Sequence, residues 1–84
     1  MEHTVDGREI VPLDEALAML PGSDEIHTFR GGGGIMIGAD WPRDNLIEAM
    51  KAAKEIEFSG PVAASMGHKL CFKDEHGYVF VQTV

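Results

Sequence analysis

The chain has 84 residues and a formal net charge of −7, with 44% hydrophobic and 25% charged side chains. This length predicts one domain over residues 1–84, and the composition excludes a disordered or membrane-spanning chain. The acidic balance disfavours sequence-independent binding to DNA or RNA, which needs clustered Lys and Arg to displace counterions.

The first elements predicted along the chain are a small hairpin and a helix. Thr4-Val5 and Arg8 to Val11 flank Asp6-Gly7, a pair that suits the positive-φ positions of a type I′ turn. After Pro12, apolar residues recur at helical spacing until Pro21-Gly22 ends the helix. The apolar stripe consists of Leu13, Ala16, Leu17 and Leu20.

A β-hairpin and a second amphipathic helix are predicted for the centre. Glu25 to Arg30 reads as a strand, Gly31 to Gly34 as a flexible turn and Ile35 to Ala39 as the returning strand. We expect the helix to begin at Pro42, with Asp40 as its cap. The residues expected on its buried side are Leu46, Ile47, Met50 and Ala53.

The last third predicts short elements that complete the sheet. Gly60-Pro61 starts a short helix through Met66, and Gly67 is placed to be its left-handed terminating residue. A four-residue loop, Asp74 to Gly77, joins the last two strands, and the final strand is expected in the sheet interior. The predicted strands are Glu55 to Phe58, Lys69 to Lys73 (or from His68) and Tyr78 to Val84.

This order of elements predicts an α+β domain. Its mainly antiparallel β-sheet carries two amphipathic helices and one short helix packed on it.

The four consecutive glycines do not match a known phosphate-binding motif. A Walker loop needs Gly-Lys-Ser/Thr running into a helix, whereas Gly34-Ile35-Met36 runs into an apolar strand. A dinucleotide fingerprint also needs a helix at this point. A hairpin turn is the favoured interpretation, and close approach of a ligand to the bare backbone is the alternative.

Residues that suit ligand binding concentrate on either side of the glycines. Strand alternation places His27 and Phe29 on one face and Thr28 and Arg30 on the other. Arg30 and Thr28 offer donors to a phosphate or carboxylate, and Arg43 lies in a first helical turn that also favours anions. The competing interpretation is that these side chains are structural.

Trp41 and His68 also have several interpretations. Trp41 suits a core residue, a stacking surface or a partner-binding anchor. His68 follows a helix C-terminus, whose dipole favours its charged form, so it is a helix stop or a pocket edge beside Met66. The predicted ligand-binding residues are His27, Thr28, Phe29, Arg30, Asp40, Trp41, Arg43, Met66, Gly67 and His68.

No catalytic or metal-binding pattern is present in the sequence. The four histidines and Cys71 lack the spacing of metal ligands. Cys71, the single cysteine, lies between Leu70 and Phe72 in a predicted strand, which suits a buried thiol. We therefore expect a protein that is not an enzyme and needs no metal or cofactor. The lone cysteine and the lack of a signal-peptide pattern predict a cytoplasmic protein.

Three blocks carry a family resemblance: His27-Thr28-Phe29, Gly38 to Trp41, and Gly60-Pro61 with Met66-Gly67-His68. With these blocks the chain resembles a group of small phage- and prophage-encoded orphan proteins, over most of its length from Leu13 to Gln82. The resemblance assigns neither an activity nor any site residue to this chain. It implies a context, since small acidic accessory phage proteins often counter host defence within the host cytoplasm.

Three functional hypotheses remain open. In the first, the predicted residues bind and sequester a small anionic, nucleotide-type host signal, in a pocket that can span a homo-oligomer interface. In the second, the protein is an acidic inhibitor of a host defence complex, of the anti-CRISPR type. Residues 1–25 carry seven carboxylates against Arg8 alone, a local balance of −6. The third is a phage regulatory or structural accessory protein.

Overall fold

An antiparallel β-sheet forms the centre of the computed structural model, which describes residues 4–5, 8–32 and 35–84. The predicted Asp6-Gly7 turn and residues Gly33 and Gly34 lie outside the described residues. The strands are β1 (Thr4–Val5), β2 (Arg8–Val11), β3 (Glu25–Gly32), β4 (Ile35–Pro42), β5 (Ile56–Phe58), β6 (Leu70–Asp74) and β7 (Gly77–Val81). The helices are α1 (Leu13–Ala18), α2 (Arg43–Ala52) and α3 (Pro61–Ser65).

The strand order confirms the predicted α+β fold. Six strands pair antiparallel in the order β2-β5-β6-β7-β3-β4, and β1 extends the sheet by pairing with β2. Strand β7 lies between β6 and β3, in the interior as expected. The long hairpin β3–β4 therefore closes one side of the sheet, with β4 at the edge.

Helices α1 and α2 pack against one face of the sheet, which we call the helix face. On α2, Leu46 and Met50 are buried and Ile47 packs partly buried against the core, as the helical spacing predicts. Ala53, the residue after the last helical position, is also partly buried against the core. Burying this apolar surface supplies most of the stability of so small a domain. The other buried residues of the cluster are Val11, Ala16, Leu20, Ile26, Ile56, Leu70, Phe72, Val79 and Val81.

The opposite face, which we call the second face, is covered only in part. Phe29 pairs with Phe80 and Phe80 with Cys71, so a row of side chains crosses three strands on this face. Thr28 instead pairs with Val81, a core residue of the helix face. The predicted alternation of β3 is therefore confirmed. The segment after α3 also reaches the second face, where His68 contacts Phe29.

Strand β4 is longer than the sequence predicts, which corrects the role of Asp40. The ladder with β3 runs to the pair Glu25↔Pro42, so Asp40 and Trp41 are strand residues. Helix α2 begins at Arg43, its N-cap is Pro42, and no side chain caps it. Asp40 as a helix cap was wrong because cross-strand pairing to His27 holds its backbone extended.

Two of the three predicted hairpin turns give up residues to the flanking strands. Gly31 and Gly32 belong to β3 and pair with Met36 and Ile35. Asp74 pairs with Gly77, so only two residues separate β6 from β7. The last strand ends at Val81, three residues earlier than expected. No helix in the described part of the chain has the length and apolar character needed to cross a membrane.

Candidate functional site

The ten residues predicted to bind a ligand separate into three groups. Thr28, Arg30 and Trp41 lie on the helix face, because they alternate with the second-face residues along β3 and β4. Arg43 begins helix α2. The remaining six belong to the second face or its margin: His27, Phe29, Asp40, Met66, Gly67 and His68.

Arg30 is held by contacts within the chain. Its two terminal nitrogens donate to the two carboxylate oxygens of Asp74, each at 2.8 Å. This bidentate hydrogen bond raises the pKa of Arg30 and lowers the pKa of Asp74. The guanidinium carbon also lies 5.7 Å from the ring centroid of Trp41. Arg30 thus links β3 to β6 and covers the ring of Trp41, which packs against the core.

Arg43 is also bonded within the chain, and it does not meet Arg30. Its Nη1 donates to the carbonyl oxygens of Pro21 and Ser23, and its backbone N–H donates to the Asp24 carbonyl at 2.7 Å. Arg30 lies five residues along β3 from Glu25, the partner of Pro42, or roughly 17 Å along an antiparallel strand. The backbones of the two cations therefore lie well apart, and each guanidinium is engaged by groups of the chain itself.

The histidines of the second face form a hydrogen-bonded pair. His27 Nδ1 and His68 Nε2 are 2.9 Å apart, and the rings meet edge to face. His68 Nδ1 lies 3.0 Å from the Met66 carbonyl oxygen, which can only accept. In the neutral pair, His68 Nδ1 therefore carries a proton, its Nε2 accepts, and His27 Nδ1 donates.

Burial acts against the charged form of His68, opposite to the sequence-based expectation. The residue is 8% exposed, and desolvation lowers its pKa, with the nearby His27 acting in the same direction. The hydrogen bond to Met66 opposes this effect without reversing it. The expected preference for charged His68 at a helix end was wrong, because α3 has only five residues and the ring is buried.

Gly38 makes room for His27. A Cβ atom at position 38 would lie 3.0 Å from His27 Nε2, closer than side chains ordinarily pack. Asp40, which pairs with His27 in the ladder, has an exposed side chain. His27 also donates its backbone N–H to the Gln82 side-chain oxygen at 3.1 Å. The His27 ring is thus held by its hydrogen bond to His68 and by the space that Gly38 leaves in β4.

An aromatic row extends from the histidine pair across the second face, and we define it as His27, His68, Phe29, Phe80 and Tyr78. Ring centroids are 4.7 Å apart for His68 and Phe29, 5.2 Å for Phe29 and Phe80, and 6.5 Å for Phe80 and Tyr78. Phe29 and His68 are buried, whereas His27, Phe80 and Tyr78 are half-buried. The row therefore offers ring surface to a ligand along part of its length.

Sequence reasoning missed Tyr78 and Phe80 as site residues. Their period-two spacing in β7 was a usable signal, since alternate residues share a face. This spacing could not show which strand lies beside β7. Its neighbour β3 is about fifty residues away in the chain, so the pairing depends on distant segments.

The Tyr78 end of the aromatic row borders a cleft. The cleft has a volume of about 440 Å³. Lys73 Nζ lies 5.9 Å from the Tyr78 ring centroid, and Lys54 also lines the cleft. Glu55, Glu57, Asp74 and Glu75 line it too, so the cleft is not a strongly cationic site. Among the described residues no cluster of three or more His, Cys, Asp or Glu side chains suits a metal ion.

No protein-family model matches this chain, and neither does any curated protein or any solved structure. A function has to be inferred from the residues of the site itself.

Proposed function

We propose that this protein is a non-enzymatic binding protein that holds a planar, nucleotide-type ligand against the aromatic row. The observation that carries the proposal is the half-buried ring surface of Phe80 and Tyr78, continuous with Phe29 and the histidine pair. Stacking of a base on an aromatic side chain contributes roughly 1–3 kcal/mol and tolerates different bases. His27 Nδ1 and the Gln82 side-chain oxygen already bond within the chain, so polar contacts to the edge of the base fall to His27 Nε2 and the Gln82 amide nitrogen.

The anionic part of such a ligand is expected to contribute less to the binding free energy than its base. Arg30 and Arg43, the cations of the predicted site, already bond to Asp74 and to backbone carbonyls. Lys54 and Lys73 remain near the Tyr78 end, beside four carboxylates of the same cleft. Nucleosides and nucleoside monophosphates are therefore expected to bind with affinities within about tenfold of each other.

The proposed biological role rests on the phage-type resemblance. A non-enzymatic protein that binds a signal lowers the free concentration of that signal. We propose that it sequesters a nucleotide-type host signal and so counters a host defence, in the host cytoplasm.

Calorimetry with nucleosides, nucleoside monophosphates and cyclic nucleotides tests the proposal. Phe80→Leu keeps an apolar side chain but removes the stacking surface, so affinity should fall at least about tenfold. Phe58→Leu is the matched control, since Phe58 is also half-buried but packs on the helix-face core. It should bind as the parent protein does.

Two results would contradict the proposal. One is that no member of the ligand series binds the folded parent protein. The other is that Phe58→Leu and Phe80→Leu lose affinity equally, which would indicate a general loss of structure. A Trp41→Leu variant adds a further check, because Trp41 lies on the helix face and should not contribute to binding.

A second candidate function is inhibition of a basic, nucleic-acid-binding defence protein. Asp14, Glu15, Asp24 and Glu25 are all exposed, and in the part of the chain that the structure describes their side chains have no ion-pair partner. Such carboxylates accelerate encounter with a cationic surface, and added salt screens them.

Replacing these four residues together by Asn and Gln tests the second candidate. The variant should lose its inhibitory effect on host defence, and inhibition by the parent should weaken as salt rises. Full activity of this variant would exclude the acidic-inhibitor function while leaving ligand binding on the second face intact.

A further inference from the structure

Strand β4 presents an open edge along its eight residues. Its eight residues pair with β3 at eight positions on one side, and no described strand pairs with its other side. Its outward-pointing N–H and C=O groups therefore lack strand partners within the described chain. Proteins ordinarily block such edges with charges, prolines, bulges or short strands. Here Asp40 is the one charged residue and Pro42 occupies the last position.

The apolar side chains of β4 are exposed as well. Ile37 is 65% exposed and Met36 is 51% exposed, and the two project from opposite faces of the sheet. An open edge that carries exposed apolar residues on both faces is a template for an added strand.

We propose that two copies of this chain associate by antiparallel pairing of their β4 strands, forming one sheet that continues across the dimer. A strand edge is complementary to itself about a two-fold axis, so both copies use the same surface and the assembly closes as a dimer. The other edge of the sheet is β1, only two residues long, so head-to-tail pairing offers far fewer hydrogen bonds.

Charge opposes a second copy less at this edge than elsewhere on the surface. Each chain carries a net charge of −7, so most approaches bring carboxylates together. When two β4 strands pair, the only charged side chain that each strand brings to the contact is Asp40. Directly opposed like charges destabilise a strand pair, so registers that oppose the two Asp40 side chains are disfavoured.

The faces of the sheet limit the register further. A two-fold axis perpendicular to the sheet keeps like faces together, so opposed residues must project from the same face. Pairing centred on Ile37 opposes the two Ile37 side chains and places Met36 opposite Gly38. Pairing centred on Gly38 places Ile37 opposite Ala39 and Met36 opposite Asp40. Both registers cover Ile37 and separate the two Asp40 carboxylates.

Sedimentation and light scattering measure the mass, with twice the 9.1 kDa of the chain as the expected value. Ile37→Lys places like charges between the two paired β4 strands. The dissociation constant of the dimer should therefore rise at least about tenfold. Val62→Lys is the matched control, because Val62 is an exposed apolar residue on α3. It should remain dimeric.

Hydrogen exchange of the parent protein shows whether the backbone of β4 forms the contact. The β4 amides that do not bond to β3 should be protected at high protein concentration and exchange freely on dilution. A protein that stays monomeric at every concentration would overturn the proposal. So would a dimer whose β4 amides exchange independently of concentration, a dimer that Ile37→Lys leaves intact, or open-ended filaments.

Discussion

His27 and His68, 41 residues apart in the chain, share a hydrogen bond of 2.9 Å between Nδ1 and Nε2 on the second face of the sheet. The bond joins β3 to the segment that follows α3, and a further hydrogen bond from His68 to the Met66 carbonyl fixes its direction. Both rings thereby have defined tautomers in the neutral state. The same pair forms one end of the aromatic row, so the protonation of His68 bears on stability and on the proposed binding surface together.

The pH dependence of stability should include a contribution from His68. Because burial holds its folded-state pKa below the ordinary value of 6.5, the unfolded chain binds a proton more readily than the folded chain. The contribution of neutral His68 to stability is therefore fully present above pH 6.5. It decreases as the pH falls below 6.5 toward the folded-state pKa of His68. We expect His68→Gln to show a smaller loss of unfolding free energy than the parent between about pH 7.5 and pH 5.5.

Urea unfolding at the two pH values measures this difference, since the carboxylates contribute almost equally to parent and variant. His76→Gln is the control, because His76 is exposed and lies in the β6–β7 turn. A parent and a His68→Gln variant with identical pH dependence would contradict the assignment.

The ion pair between Arg30 and Asp74 should contribute modestly to stability. The two side chains are 33% and 25% exposed, so solvent screens their attraction, and we expect a coupling energy of about 0.5–1 kcal/mol. A double-mutant cycle with Arg30→Gln and Asp74→Asn, followed by chemical denaturation, gives that energy. It should shrink in high salt. Zero coupling in low salt would show that the bidentate contact adds nothing.

Replacing Gly38 should disturb His27. Gly38→Ala places a Cβ atom 3.0 Å from His27 Nε2, so the ring has to shift, at a cost of about 1 kcal/mol. Imidazole nitrogen shifts measured by NMR should change for His27 and for its partner His68. Gly60→Ala is the control, since a Cβ atom at that position meets nothing within 4 Å. Unchanged imidazole shifts in Gly38→Ala would contradict the close approach.

Gly67 should be intolerant of a side chain for a different reason. A Cβ atom there meets no neighbour, but the backbone has φ +86°, a conformation that strains other residues. Gly67→Ala should therefore cost about 1–2 kcal/mol, and Gly67→Asn less, because Asn tolerates this conformation better. Thermal denaturation compares the two variants. Equal stability of the alanine variant and the parent would show that the segment relaxes to a negative φ.

Local patterns in the sequence predicted most of the elements. Apolar spacing predicted α1 and α2, alternation predicted the two faces of β3, and Gly67 predicted the end of α3, since each depends on neighbours within a few residues. The same patterns failed for Asp40 and Trp41. Their cross-strand partners His27 and Ile26, which hold β4 extended to Pro42, lie more than ten residues away.

The sequence by itself thus determined an antiparallel α+β domain and the segment between Ile26 and Arg43 as its main concentration of polar and aromatic residues. Only the tertiary structure decided which of those residues meet. It joins Arg30 to Asp74 and brings Phe80 beside Phe29. The reason is physical: a strand's pattern specifies which side chains share a face, whereas the order and register of strands depend on contacts between distant segments.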